Sequence, residues 1–259
     1  MRSVSVFSFV GCAILLAAIF TLGPAFAAGQ ASADSATITL APVTPLFDAE
    51  AERELAYLGR TAAVRLALEA GLRAENRADS LLVLTQAVDK AQLLILTDPD
   101  DPESQYLFAV AVGQRLELSG TSEKIRLGAI TRSAAERALE LDPEHAGAHH
   151  VLGRLNAATM RMGRVARFVA RRLLGASALE NMSWESAEFH FAQALAIEPR
   201  NPRHSMELGI LLADTDRRGE AVSALKYSIA QPPETLADSL AVRRAARVLE
   251  RLYRGNRPD

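Results

Sequence analysis

The chain has 259 residues and a formal net charge of −2, from 29 Lys+Arg against 31 Asp+Glu. That near-neutral balance excludes the strongly basic composition of a nucleic-acid-binding domain, so no nucleic-acid partner is expected. The single cysteine, Cys12, lies in the first apolar stretch, so the rest of the chain has no disulfide and relies on its core.

Residues 1–27 join a positive end at Arg2, an apolar run over residues 4–20 and the small-residue sequence Pro24-Ala25-Phe26-Ala27. This is the pattern of a secretory signal peptide, with cleavage expected after Ala27 and the mature protein in the periplasm or cell envelope. Because the apolar run is close to the roughly 17-residue lower limit for a bilayer span, an uncleaved N-terminal anchor is the alternative. Lipidation at Cys12 is disfavoured, since Cys12 sits inside the run. Residues 1–27 hold one arginine and no acid, so their removal takes the net charge from −2 to −3. Residues 28–45, "AGQASADSATITLAPVTP", are small, polar and broken by proline, and read as a flexible linker.

From residue 46 to residue 259 nearly everything reads as helix. Ala, Leu, Arg and Glu dominate and apolar residues recur at three- and four-residue spacing, which predicts an all-α domain. Within it "LTDPDDPESQYLFAVA", "LDPEHAGAHHVLGR" and "IEPRNPRHSMELGI" share a skeleton of acid, proline, short gap and helix. Aligned on Pro99, Pro143 and Pro199, they place the small residues Ala109, Gly153 and Gly209 ten positions on. The large residues Phe108, Leu152 and Leu208 come one position earlier, and Ala87, Thr131 and Ala187 lie twelve before each proline. From Pro199 to Pro233 the period is 34 residues, with Ala221 and Leu225 in register. These positions resemble the tetratricopeptide repeat, in which small residues let two antiparallel helices approach while large ones fill the gap beside them. One such unit cannot bury its own apolar face, so several stack, and a right-handed superhelix of antiparallel helix pairs is expected.

Asp101-Pro102 and Asn201-Pro202 are N-cap plus first-turn proline pairs, and His145 occupies the same cap slot. The interval from Pro143 to Pro199 is 56 residues, 22 over one period, and contains "RMGRVARFVARRLLGASALENMSW". There Arg161, Arg164, Arg167 and Arg171 gather on one side of a predicted inserted basic amphipathic helix. Ser183 then caps the following helix. The arginine stripe reads first as a solvated face and second as a surface for anionic lipid headgroups or an acidic partner. The last stretch, "LADSLAVRRAARVLERLYR", is expected to cap the superhelix.

"AAERALELDPEHAGAHHVLGR", "RFVARRLLG", "SWESAEFHFAQALAIEP" and "ELGILLADTDRRGEAVSALKYSIAQPPET", in that order, resemble the regulator of microtubule dynamics family, a divergent tetratricopeptide group. The likeness covers a little over half of the chain and departs at its N-terminus. It implies the superhelical fold. Animal members of the family are associated with microtubules and membranes, but an exported chain meets no microtubule, so none is expected as a partner here.

The chain has no P-loop, no G-x-S-x-G, no H-E-x-x-H and no Gly-rich dinucleotide turn, and it reads as a binding protein, not an enzyme, with no cofactor. His145 and His149 stand one helical turn apart. The register nevertheless puts His145 on the cap and His149 in the slot between helices, so no metal is expected. His150 is turned about 100° from His149, toward the concave groove. The groove is expected to be lined by Tyr106, Val110, Gln114, His150, Arg154, Met206, Ile210 and Asp214. Repeats that clamp a peptide carboxylate use Lys and Asn at slots held here by Tyr106, Val110, His150, Arg154, Met206 and Ile210. A mixed apolar wall with one arginine instead suits a protein or peptide partner, making the chain a scaffold or adaptor of the envelope. The alternative is a carrier holding a lipid or other hydrophobic ligand in the cavity.

Overall fold

A computed structural model describes residues 49–163, Arg172 and residues 182–254. All lie in one compact unit, residues 47–259. Among the described residues there are nine helices and no strand: α1 Ala49–Arg73, α2 Arg77–Thr97, α3 Pro102–Glu117, α4 Thr121–Leu141, α5 Ala146–Arg161, α6 Trp184–Ile197, α7 Pro202–Asp214, α8 Arg218–Ala230 and α9 Leu236–Arg254. The fold is therefore all-α and tetratricopeptide-like, as the periodicity predicts.

The helix starts follow from the capping residues. Asp101 accepts a hydrogen bond from the Ser104 amide at 2.8 Å, and Asn201 one from the Arg203 amide at 3.1 Å, each with proline at the first helical positions. The Ser183 hydroxyl accepts from the Ser186 amide at 3.0 Å. At His145 an imidazole does this work, its Nδ1 accepting from the Ala148 amide at 3.2 Å. A cap of this kind contributes about 1 kcal/mol by satisfying an amide that the first turn leaves without a partner.

Neighbouring helices pack as pairs, α1 with α2, α3 with α4, α5 with α6 and α7 with α8. The odd-numbered helices also touch one another in succession, α1 with α3, α3 with α5, α5 with α7 and α7 with α9, and so share one face. In addition α9 touches α1. The small residues of the repeat register explain how closely the pairs sit. A Cβ on Gly153 would fall 2.6 Å from the Phe191 ring, and one on Gly209 would fall 2.8 Å from the Leu225 side chain. Both distances are shorter than real Cβ contacts, so only glycine admits the neighbour. Phe191 and Leu225 are fully buried, four residues after the buried alanines Ala187 and Ala221. Burying a phenylalanine in this way contributes about 2–3 kcal/mol.

The C-terminal helix is the expected cap. Ala241, Ala245 and Val248 on its inner face pack with Met206, Ile210 and Leu225. Thr235 and Asp238 start it reciprocally, the Asp238 amide donating to the Thr235 hydroxyl at 3.1 Å and the Thr235 amide to the Asp238 carboxylate at 3.0 Å.

The inserted basic helix requires a correction at its start. Arg161 is the last residue of α5, and the extended backbone of Met162 (φ −65°, ψ 135°) ends that helix. Arg161 therefore does not begin a separate basic face. Its guanidinium pairs with Asp214 at 2.6 Å and lies 5.8 Å from the centre of the Trp184 ring. Arg164, Arg167 and Arg171, and the helix expected to carry them, lie outside the described residues.

Candidate functional site

The face shared by the odd-numbered helices holds a cavity of about 400 Å³. Its wall is mostly apolar. Leu72, Leu84 and Val110 come from α1, α2 and α3 in turn, and Val151 and Leu155 from α5; Met206 on α7 and Leu240 on α9 close the opposite side. Polar groups enter at a few points, chiefly the guanidiniums of Arg154, Arg203 and Arg244 and the carboxylates of Glu117 and Glu207.

Six of the eight expected groove residues line this space: Tyr106, Val110, Gln114, His150, Arg154 and Met206. Ile210 and Asp214 do not. Helix α9 lies over the part of α7 that carries Ile210, which joins the core beneath Ala241 and Val248. Asp214, at the far end of α7, is held in the ion pair with Arg161. Sequence reasoning places the groove by counting along one repeat, whereas the capping helix that crosses it is fixed by packing.

Three residues missed in the sequence govern the charge of the cavity: Glu207, Arg203 and Arg244. Glu207 is only 3% exposed, and its Oε1 accepts from Arg244 Nη1 at 3.1 Å while Arg154 Nε approaches it at 3.4 Å. One carboxylate on α7 thus neutralises guanidiniums from α5 and α9. Arg154 also donates to Glu117 of α3 at 3.1 Å. Arg203 lies 3.0 Å from Asp238 Oδ1, an ion pair between α7 and α9 without hydrogen-bond geometry. Among the described residues nothing donates to the buried amide oxygen of Gln114. Burial raises the Tyr106 phenol above its ordinary value, so it stays neutral. The spacing of Arg203 and Glu207, one helical turn apart, was the available signal, since it puts both on the side of α7 that carries Met206.

All five histidines of the chain gather around α5. His145 approaches Glu103 at 3.3 Å, His149 Nδ1 lies 3.0 Å from His190 Nδ1, and His150 Nδ1 lies 3.0 Å from His204 Nδ1. The outer atoms fix the tautomers. His204 Nε2 sits 3.0 Å from the Glu198 carboxylate and His149 Nε2 sits 3.0 Å from the Pro143 carbonyl. Both oxygens only accept, so both Nε2 atoms carry the proton and both Nδ1 atoms are acceptors. His150 and His190 then donate from Nδ1. The hydrogen bond from His204 is the main cause holding the Glu198 carboxyl down to about 2. Burial is the main cause in the rings, with His190 pushed down to about 4 and His150 well below its ordinary value. Burial also lowers His149, against the Pro143 carbonyl, and His204, against the pull of Glu198. Among the described residues no group of three or more His, Cys, Asp or Glu side chains is placed to hold a metal ion.

Among solved structures, the chain is similar to a thermophilic tetratricopeptide protein of Thermus thermophilus, with 18% identity and a TM-score of 0.45, over 76% of this chain and 96% of that one. No curated protein matches the chain. The family model for regulator of microtubule dynamics protein 1-3 matches residues 45–253, which takes in all the pieces of the repeat register and the capping helix together. The chain therefore belongs to the regulator of microtubule dynamics protein 1-3 family.

Proposed function

We infer that the protein is a non-catalytic scaffold or adaptor of the cell envelope that holds a partner segment in its concave cavity. A tetratricopeptide-like fold is suited to protein interaction, and the observation that carries the finer reading is the apolar cavity with its arginine edge. Leucine-lined walls bury an apolar side chain, while Arg154 and Arg244, each nearly half exposed beside the one carboxylate of Glu207 that they share, keep donors for polar atoms of the segment. The envelope assignment rests on the signal-like sequence of residues 1–27. The second reading, a carrier of a hydrophobic ligand, is favoured by the volume of about 400 Å³, within the 300–1,000 Å³ range of small-molecule sites.

Native mass spectrometry and solvent extraction of the full chain, purified from its native compartment, separate the two. A bound polypeptide supports the adaptor and an extractable small hydrophobe supports the carrier. Arg154→Glu combined with Leu240→Asp, the latter at a cavity-lining residue that is 37% exposed, is expected to abolish either association while leaving the helical circular dichroism intact. Retention of every bound species by a folded double variant would remove the cavity from both readings.

A further inference from the structure

The two histidine pairs join α5 to two of the helices packed against it. His149–His190 ties it to α6 and His150–His204 ties it to α7. His150 lines the cavity, as do Arg154 of α5 and Arg203, Met206 and Glu207 of α7, so the α5–α7 joint is part of the cavity wall. An N–H···N bond between imidazoles needs one proton at the shared edge, and here the outer oxygens dictate which ring supplies it. We propose that these two hydrogen bonds are a proton-operated clasp, which holds α5 against α6 and α7 while the rings are neutral and loosens that wall in acid. The link to partner release rests on the cavity reading above; the clasp itself does not.

The surroundings set the sign. Around His150–His204 stand Arg154 on α5, Arg203 on α7 and the neutral Tyr106 on α3; Glu103 is engaged by Arg65 and His145. Glu198 and Asp238 are the acids on the His204 side, with Asp238 already paired to Arg203. Glu198 draws the first proton to His204, which then carries N–H at both nitrogens and stops accepting from His150. His150 answers only by moving its own proton to Nε2, which leaves a cation beside Arg154 and Arg203 in a dry wall. Around His149–His190 the titratable neighbours are His145 and Asp142, with Arg132 and Glu136 of α4 lining a second, smaller cavity with His190. Among the described residues no carboxylate is bound to either ring of that pair, and its anchor is the Pro143 carbonyl.

Because folding lowers these ring values, the stability they lend is complete above the unfolded value of about 6.5. It is lost as pH falls below that value, until His190 titrates in the fold at about 4.

The test uses the full chain without any partner, followed by hydrogen-exchange mass spectrometry at pH 7.5 and pH 5 on timescales matched for intrinsic exchange. Peptides of α5 and α7 are expected to lose protection at least ten-fold at pH 5, whereas α1 and α2, which contain no histidine, change little. In His149→Gln with His204→Gln, each amide oxygen can still accept from the Nδ1–H of His190 or His150 and each amide nitrogen can still donate to Pro143 or Glu198. The acceptor no longer takes up a proton, so the acid response should shrink. Equal protection of α5 and α7 at the two pH values, or an undiminished response in a folded variant, overturns the clasp. If the variant does not fold, ¹⁵N spectra of histidine-labelled wild type decide. The clasp requires Nδ1–H on His150 and His190 and Nε2–H on His149 and His204 at pH 7.5, and the opposite tautomers overturn it. None of these readouts involves the cavity's occupant, so a failed clasp and a failed cavity reading are told apart.

Discussion

The first helix pair and the pair formed by α7 and α8 are built from the same repeat, yet they meet solvent differently. Nine of the thirteen residues of α7 are buried, among them His204, Glu207 and Gly209. Helices α1 and α2 bury a single seam, Val64 and Leu68 against Leu84, Ala87, Ala91 and Leu94, and leave Leu55, Leu58, Leu66, Leu82, Leu93 and Leu96 exposed. Helix α2 is apolar and long enough to cross a membrane by composition, yet it packs as a repeat helix between α1 and α3. The difference shows what a terminal pair lacks. Interior pairs are covered on two sides, so their stability is partly that of their neighbours. The C-terminal end receives α9 as a cover, and among the described residues the outward side of α1 and α2 receives none.

That contrast is broken most severely at Phe191. Its truncation in Phe191→Ala should cost about 3–5 kcal/mol, because the ring fills the space that Gly153 leaves and rigid helices close such a cavity only in part. Urea denaturation with a constant slope would check this, and a loss below about 1 kcal/mol would mean that the interior pairs are as loosely packed as the first. Glu207→Gln tests the polar half of the comparison. It leaves Arg154 and Arg244 facing each other without their shared carboxylate, and about 1–2 kcal/mol should be lost. The shift should shrink in high salt, which screens the two exposed guanidiniums, so melts at two ionic strengths read it out. The smallest effect belongs to Leu93→Ser on α2. Leu93 is 60% exposed, and the change should stay within about 0.5 kcal/mol. A larger loss would show that the outward leucines are covered in the folded protein.

How much of this was legible in the sequence depended on how local the cause was. The caps at Asp101, His145, Ser183 and Asn201 and the small slots at Gly153, Gly209 and Ala187 act within a few residues or one repeat, and the structure keeps each of them in place. His149 was correctly placed between helices and His150 correctly on the cavity. Their partners His190 and His204 were not found, since 41 and 54 residues separate the members of each pair. The interval from Pro143 to Pro199 exceeds one repeat period by 22 residues, so no constant count links the members of either pair. Ile210 and Asp214 were misplaced for a related reason. A repeat register says which face of α7 points inward but not which later helix will lie across it. Glu207, beside Met206 in the chain, is decisive only because Arg244 arrives from α9.

The contact between α9 and α1 alters the statistics of such an array. In an open stack each end frays independently, and the free energy of melting the last unit is set by one interface alone. Where the last helix also rests on the first, the stack becomes cyclic, and releasing either end breaks two interfaces at once. Loss of α9 would then weaken α1, so the two end helices are coupled in cooperativity although every other helix of the array lies between them in sequence.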